Sequence, residues 1–171
     1  MDSKTLHLAP ALLLLIVLIS ACTGDPATAG MDAYEDGKYA EAGKLFNQAL
    51  EQDESRTDIR FFLGVCQQMK SSHKEAIETY SRVILEDDSA HNALLNRGHC
   101  YYALQDWTKA LADYERTLEL KPDEKVVYNP IAHMRFYMGD TMAACAALDS
   151  AATVFADRDI DKALREACQP D

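Results

Sequence analysis

Five histidines and five cysteines are the residues with the widest chemical repertoire in this chain of 171, and their spacing limits what they could do. His99 and Cys100 stand side by side, the two residue types from which a thiolate nucleophile and its imidazole base are made. Adjacent residues on a helix point ~100° apart, so the pair would not face each other. His99 and His133 form a second candidate. Two imidazoles brought together could bind Zn²⁺ or make a pH-sensitive contact, but a metal site generally wants a third ligand. No oxyanion-hole turn or carboxylate pair accompanies either candidate. No GxGxxG or Walker pattern is present to cradle phosphate. These residues predict no catalytic site, no metal, no cofactor and no small-molecule substrate.

Charge narrows the partners. With 28 acidic against 17 basic residues the formal net charge is −11, a field that repels phosphate backbones and excludes nucleic acid as a partner. Hydrophobic residues make up 48% of the chain, enough for a packed core, and no segment alternates apolar and polar residues at strand period. The elements that must position any site are therefore helices.

The N-terminus reads as an address. Ala11 to Ile19 is an unbroken apolar run of nine residues, too short for a span of roughly 20 residues. It ends in Ile19-Ser20-Ala21-Cys22, which resembles the lipobox of bacterial lipoprotein signal peptides. The resemblance implies a signal peptide over 1–21 and diacylation of Cys22, which becomes the lipidated N-terminus and anchors the chain to a membrane. The other reading is an ordinary cleaved signal with a cysteine nearby by coincidence. Thr23 in place of Asp after the cysteine implies, where the enterobacterial sorting rule applies, the outer membrane of the cell envelope over the inner. Residues 22–29 are small and polar, and read as a tether.

Beyond the tether the chain repeats. Gly30, Gly64, Gly98 and Ala132 are spaced by 34, as are Ala42, Ala76, Ala110 and Ala144. Phe46, Tyr80, Tyr114 and Leu148 keep the same step, and so does the weaker series Tyr39, His73, Trp107 and Thr141. Each cycle predicts two amphipathic helices and a short polar turn. In the third, these are Asn92 to Leu104 and Thr108 to Leu120 with Gln105-Asp106 between them. Short side chains let the paired helices approach, so Gly98 is expected to meet Ala110, with the aromatic at Tyr114 filling the wedge toward the next unit. One hairpin cannot bury its own apolar face; several stacked together can.

Gly98, Tyr101, Ala110, Tyr114 and Pro122 carry a resemblance to the tetratricopeptide repeat family, supported in the second cycle by Leu63, Gly64, Ala76 and Tyr80. The resemblance implies an all-α, right-handed α-solenoid of antiparallel helix pairs over 30–171. About four repeats, at 30–56, 57–90, 91–124 and 125–156, are followed by a capping helix at 157–168. The first repeat begins with a short helix, and in the fourth Asn129 is expected to cap a helix that starts at Pro130.

In this family the first helix of each pair lines a concave groove. Carried over by position, the lining is Phe61, Val65, Gln68 and Met69; Asn92, Leu95, His99 and Tyr102; and Asn129, His133, Phe136 and Tyr137. That surface suits an extended or helical peptide with hydrophobic anchors, although Phe61 and Leu95 could instead pack between repeats. Family members that clamp a terminal carboxylate carry Lys and Asn where Phe61 and Val65 stand, so that specificity is not implied. Four cysteines remain besides Cys22. Cys66 and Cys100 occupy equivalent places on neighbouring helices roughly 8 to 10 Å apart, too far for a bridge, and read as buried thiols. Cys145 and Cys168 could form a disulfide that staples the terminus, as the resemblance to bacterial members also implies. The expectation is an envelope adaptor or scaffold holding a protein or peptide ligand, with two alternatives. One is a subunit of an outer-membrane or pilus assembly machine; the other is a lipoprotein that assembles with copies of itself.

Overall fold

The computed structural model describes residues 24–154 together with Glu166 and Cys168. The expected signal 1–21, Cys22, and the expected cap helix apart from those two residues lie outside the described residues.

Eight α-helices follow one another: α1 Pro26–Glu35, α2 Tyr39–Gln52, α3 Thr57–Met69, α4 His73–Glu86, α5 His91–Ala103, α6 Trp107–Leu120, α7 Tyr128–Tyr137 and α8 Thr141–Val154. No strand occurs among the described residues. Each odd-numbered A helix packs on the B helix that follows, and each hairpin packs on the next, so four hairpins stack into a solenoid. The B helices show why the repeat works. Ala42, Phe46 and Ala49 are buried on α2, Ala76, Tyr80 and Val83 on α4, and Ala110, Tyr114 and Thr117 on α6. A spacing of four then three keeps one stripe of each helix against its neighbours.

Close approach within each hairpin demands glycine. A Cβ at Gly98 would lie 2.7 Å from the Tyr114 ring, and one at Gly64 would lie 2.6 Å from Tyr80. The nearest side chain to Gly98 is thus the Tyr114 ring of its own hairpin. That ring also belongs to the core shared with the fourth hairpin. In the fourth hairpin Ala132 and Leu148 stand at the places of Gly98 and Tyr114, and both are buried. The A–B turns share a second constraint. Gly37 and Gly139 have φ of +74° and +81°, and the equivalent Ser71 and Gln105 are forced to φ of 60°. In the third turn the amide of Asp106 donates to the carbonyl of Tyr101 at 2.9 Å, capping the A helix with a Schellman pattern.

Two boundaries differ from the sequence expectation. Helix α1 begins at Pro26, inside the expected tether, because the Asp25 carboxylate accepts from the amides of Ala27 at 3.3 Å and Thr28 at 3.2 Å. Proline at the first helical position sacrifices no bond there. In the fourth hairpin Asn129 is not the cap. A 3-10 turn at Lys125–Val127 leads straight into α7, and Pro130 is its third residue, where backbone amides still lack intrahelical acceptors.

Cys145 of α8 is joined to Cys168 by a disulfide with a Cα–Cα distance of 5.5 Å, pinning the chain's end to the last hairpin. Cys66 and Cys100 are free and buried. No helix among the described residues is long and apolar enough to cross a membrane.

Candidate functional site

Helices α3 and α5 touch directly, and Tyr102 of α5 reaches His133 of α7, so successive A helices share one face, the one on which the groove is expected. The structure places Phe61, Val65, Gln68 and Met69 on α3, Asn92, Leu95, His99 and Tyr102 on α5, and Asn129, His133, Phe136 and Tyr137 on α7. None of the twelve is buried. They do not contribute equally. Phe61 and Val65 lean on the core of the second repeat, and Leu95 leans on that of the third and fourth, so each is both filler between repeats and wall of the groove. Beside Phe61 a cavity of about 390 Å³ opens between the starts of α3 and α5, with Asp58 and Asn92 among its lining residues.

The C-terminal half of the groove is an aromatic cluster. Tyr102 meets Trp107 edge-on at 5.2 Å between ring centroids, Trp107 stacks on Tyr137 at 6.2 Å, and Tyr137 meets His133 edge-on at 4.8 Å. The Tyr102 hydroxyl lies 3.2 Å from Nδ1 of His133, which fixes both rings. Tyr137 is nonetheless 70% exposed. Trp107 is the groove residue that mapping the A helices alone misses, because it begins a B helix. Its place in the 34-residue series of bulky residues was the available signal.

The histidines are engaged by different partners. His99 sits edge-on to Tyr114 at 5.5 Å, while His133 is held by Tyr102 and Tyr137. Burial lowers the pKa of His99 and keeps its imidazole neutral near pH 7. Beside it the Tyr114 hydroxyl is buried without a hydrogen-bond partner among the described residues, and burial raises its pKa. Among the described residues no group of three or more His, Cys, Asp or Glu side chains converges to hold a metal. Burial pushes the Cys100 thiol up to about 11, so it stays protonated and is a poor nucleophile. What this geometry can do is grip: rigid half-exposed rings offer contact area at low entropic cost, with amides and a tyrosine–histidine pair to orient a chain.

A solenoid of 34-residue helix pairs with an open aromatic groove is a binding scaffold of the helical-repeat class. Tetratricopeptide repeat profiles match residues 33–97 and 91–124, more than half of the chain, and the chain belongs to that family. Its members mediate protein–protein interactions. Drosophila melanogaster FK506-binding protein 59 is 28% identical over 69 residues, covering 40% of this chain and 16% of that protein. The chain spans about a fifth or less of the curated relatives it matches. Among solved structures, MamA from Desulfovibrio magneticus RS-1 superposes with a TM-score of 0.71 at 16% identity, covering 75% of this chain and 73% of that one. The first repeat domain of Spaghetti (RPAP3), bound to the HSP90 peptide SRMEEVD, gives 0.63 at 22% identity, covering 67% of this chain and 90% of that one. These structural likenesses are of fold.

Proposed function

We propose that this chain is a protein–protein adaptor, held at a bacterial envelope membrane by lipid on Cys22, that grips a partner peptide or protein segment along its concave groove. The cluster of Tyr102, Trp107, His133 and Tyr137 carries the reading, because it is preorganised by ring contacts and one hydrogen bond yet leaves Tyr137 mostly in solvent. Exposed aromatics held rigidly are what a partner's apolar anchors need. The recognised segment is apolar rather than an acidic C-terminus of the SRMEEVD kind, since Phe61 and Val65 stand where a carboxylate clamp would need Lys and Asn. Support for the anchor comes from Ile19-Ser20-Ala21-Cys22, and for the outer membrane from Thr23.

A photo-crosslinking residue placed at Tyr137 in cells is expected to give one discrete adduct. The same residue at Leu85, which is 87% exposed on the B helix α4, is expected to give none. Equal labelling from both positions would remove the groove from the proposal. Palmitate incorporation that survives Cys22→Ala would separately remove the anchor.

A further inference from the structure

The twelve residues that line the groove include no Asp, Glu, Lys or Arg, although the chain carries a net charge of −11. A segment lying along it meets no opposing charge. The polar groups whose direction is fixed are both donors. The indole N–H of Trp107 can only donate, makes no hydrogen bond among the described residues and is not sealed from solvent. Gln68 stands on α3 at the place that Tyr102 takes on α5, and its side-chain oxygen already accepts from the Tyr80 hydroxyl at 3.0 Å. Its N–H₂ group is what remains to be given. Flat apolar surface stands beside these donors. The ring planes of Trp107 and Tyr137 lie within 18° of each other, and Tyr137 stays 70% exposed.

We propose that the segment gripped there is proline-rich and enters in the polyproline II conformation, an inference that rests on the groove being the partner's site. Backbone chemistry separates this occupant from the others. A helical segment has already satisfied its own carbonyls, so it leaves the Trp107 and Gln68 donors idle. An extended strand brings as many N–H groups as carbonyls. Proline has no N–H, and the polyproline II helix has no internal hydrogen bonds, so such a segment brings carbonyl acceptors to a site of donors. Its pyrrolidine rings are the apolar units that aromatic-lined grooves receive. Spacing agrees with this. At three residues per turn and about 3.1 Å per residue, one side of the segment recurs every 9 Å or so. Packed helices lie about 8–10 Å apart, so prolines three residues apart reach α3, α5 and α7 in turn. One side of a strand recurs at about 6.6 Å and falls out of step.

Trp107 is the chain's single tryptophan, so its fluorescence reads the site directly in the purified full chain. Decaproline with blocked ends is expected to shift that emission saturably. Two blocked control peptides of the same length, one of alternating Gly and Ser and one helical and built from Ala and Gln, are expected to bind more weakly by at least about tenfold. Tyr137→Ala removes an exposed ring, and Gln68→Glu removes the donor while keeping an acceptor for Tyr80. Each is expected to weaken decaproline by about fivefold or more, whereas Leu85→Ala, 87% exposed on the B helix α4, leaves it unchanged. Helical circular dichroism shows which variants are folded; should Gln68→Glu lose it, Tyr137→Ala decides. The absence of a saturable shift, an equal response to either control peptide, or undiminished binding by a folded variant would overturn the proposal. A discrete crosslink from Tyr137 alongside a silent decaproline titration would sink the proline-rich partner and leave the adaptor reading in place.

Discussion

The third and fourth hairpins are the same unit secured by different physics. The third, α5 and α6, presses the Gly98 backbone onto Tyr114 and is tied to the second hairpin by the Arg97 bridge to Ser81. The fourth, α7 and α8, has Ala132 and Leu148 at those two places, and α7 packs less extensively on α6 than α5 does on α4. Ile131 takes the place of Arg97 in it, and the ion pair that joins it to the third hairpin, Arg135 with Glu115, is more exposed than that of Arg97 with Asp113. What it has instead is the covalent link from Cys145 to Cys168. A repeat in the middle of a stack is held by complementary packing from both sides, whereas one near the end needs a device of its own.

The largest break in this comparison should come from Asp113→Ala. Asp113 and Arg97 are mostly enclosed, with side-chain exposures of 8% and 19%. Removing the carboxylate strands a guanidinium between the hairpins, at an expected cost of about 3–5 kcal/mol. Chemical denaturation of the variant measures it. The equivalent position of the fourth hairpin is Ala147, which has no ion pair to lose. Cys145→Ser comes next. The bridge spans 23 residues of sequence, so chain-entropy arguments give about 3 kcal/mol. Hydrogen exchange should show α8 opening early while α5 and α6 keep their protection; uniform loss across all four hairpins would make the disulfide a global rather than a terminal device.

Gly98→Ala is the next smaller. The added methyl would sit 2.7 Å from the Tyr114 ring, and moving that ring disturbs the core shared with the fourth hairpin, at about 1–3 kcal/mol. Ala132→Gly, the reverse change one unit later, should cost only about 1 kcal/mol through helix propensity. Equal losses from the two would show that the contact seen at Gly98 is relieved without strain.

Much of this was legible in the chain because the solenoid reuses its contacts every 34 residues, so Gly64, Gly98, Ala76, Ala110, Tyr80 and Tyr114 announce their partners by register. What repetition could not announce was anything that departs from it. The start of α1 at Pro26 hides in a stretch whose composition suits a tether, where the Asp25 side chain caps the amides of Ala27 and Thr28, and Ala27, Gly30 and Ala33 are buried. Trp107 joins the groove from a B helix, across a turn whose geometry no face-counting along A helices includes. Arg97 and Asp113 read as two ordinary charges 16 residues apart until the hairpin folds them together.

The smallest effect sharpens the comparison at the turns. The fourth hairpin meets its left-handed turn position with Gly139, but the third meets it with Gln105 at φ 60°. A residue with a Cβ is strained there by contact with the neighbouring carbonyl, and glycine is not. Glycine also loses more backbone entropy on folding, which offsets part of the gain. Gln105→Gly should therefore stabilise the protein by about 0.5–1 kcal/mol, seen as a small rise in Tm. The reverse substitution, Gly139→Gln, should destabilise it by a similar amount. The Gln105 side chain makes no hydrogen bond among the described residues, so little else is removed with it. A loss of stability on Gln105→Gly would mean that unfolded-chain entropy outweighs turn strain in this solenoid, and that the third hairpin is no more strained at its turn than the fourth.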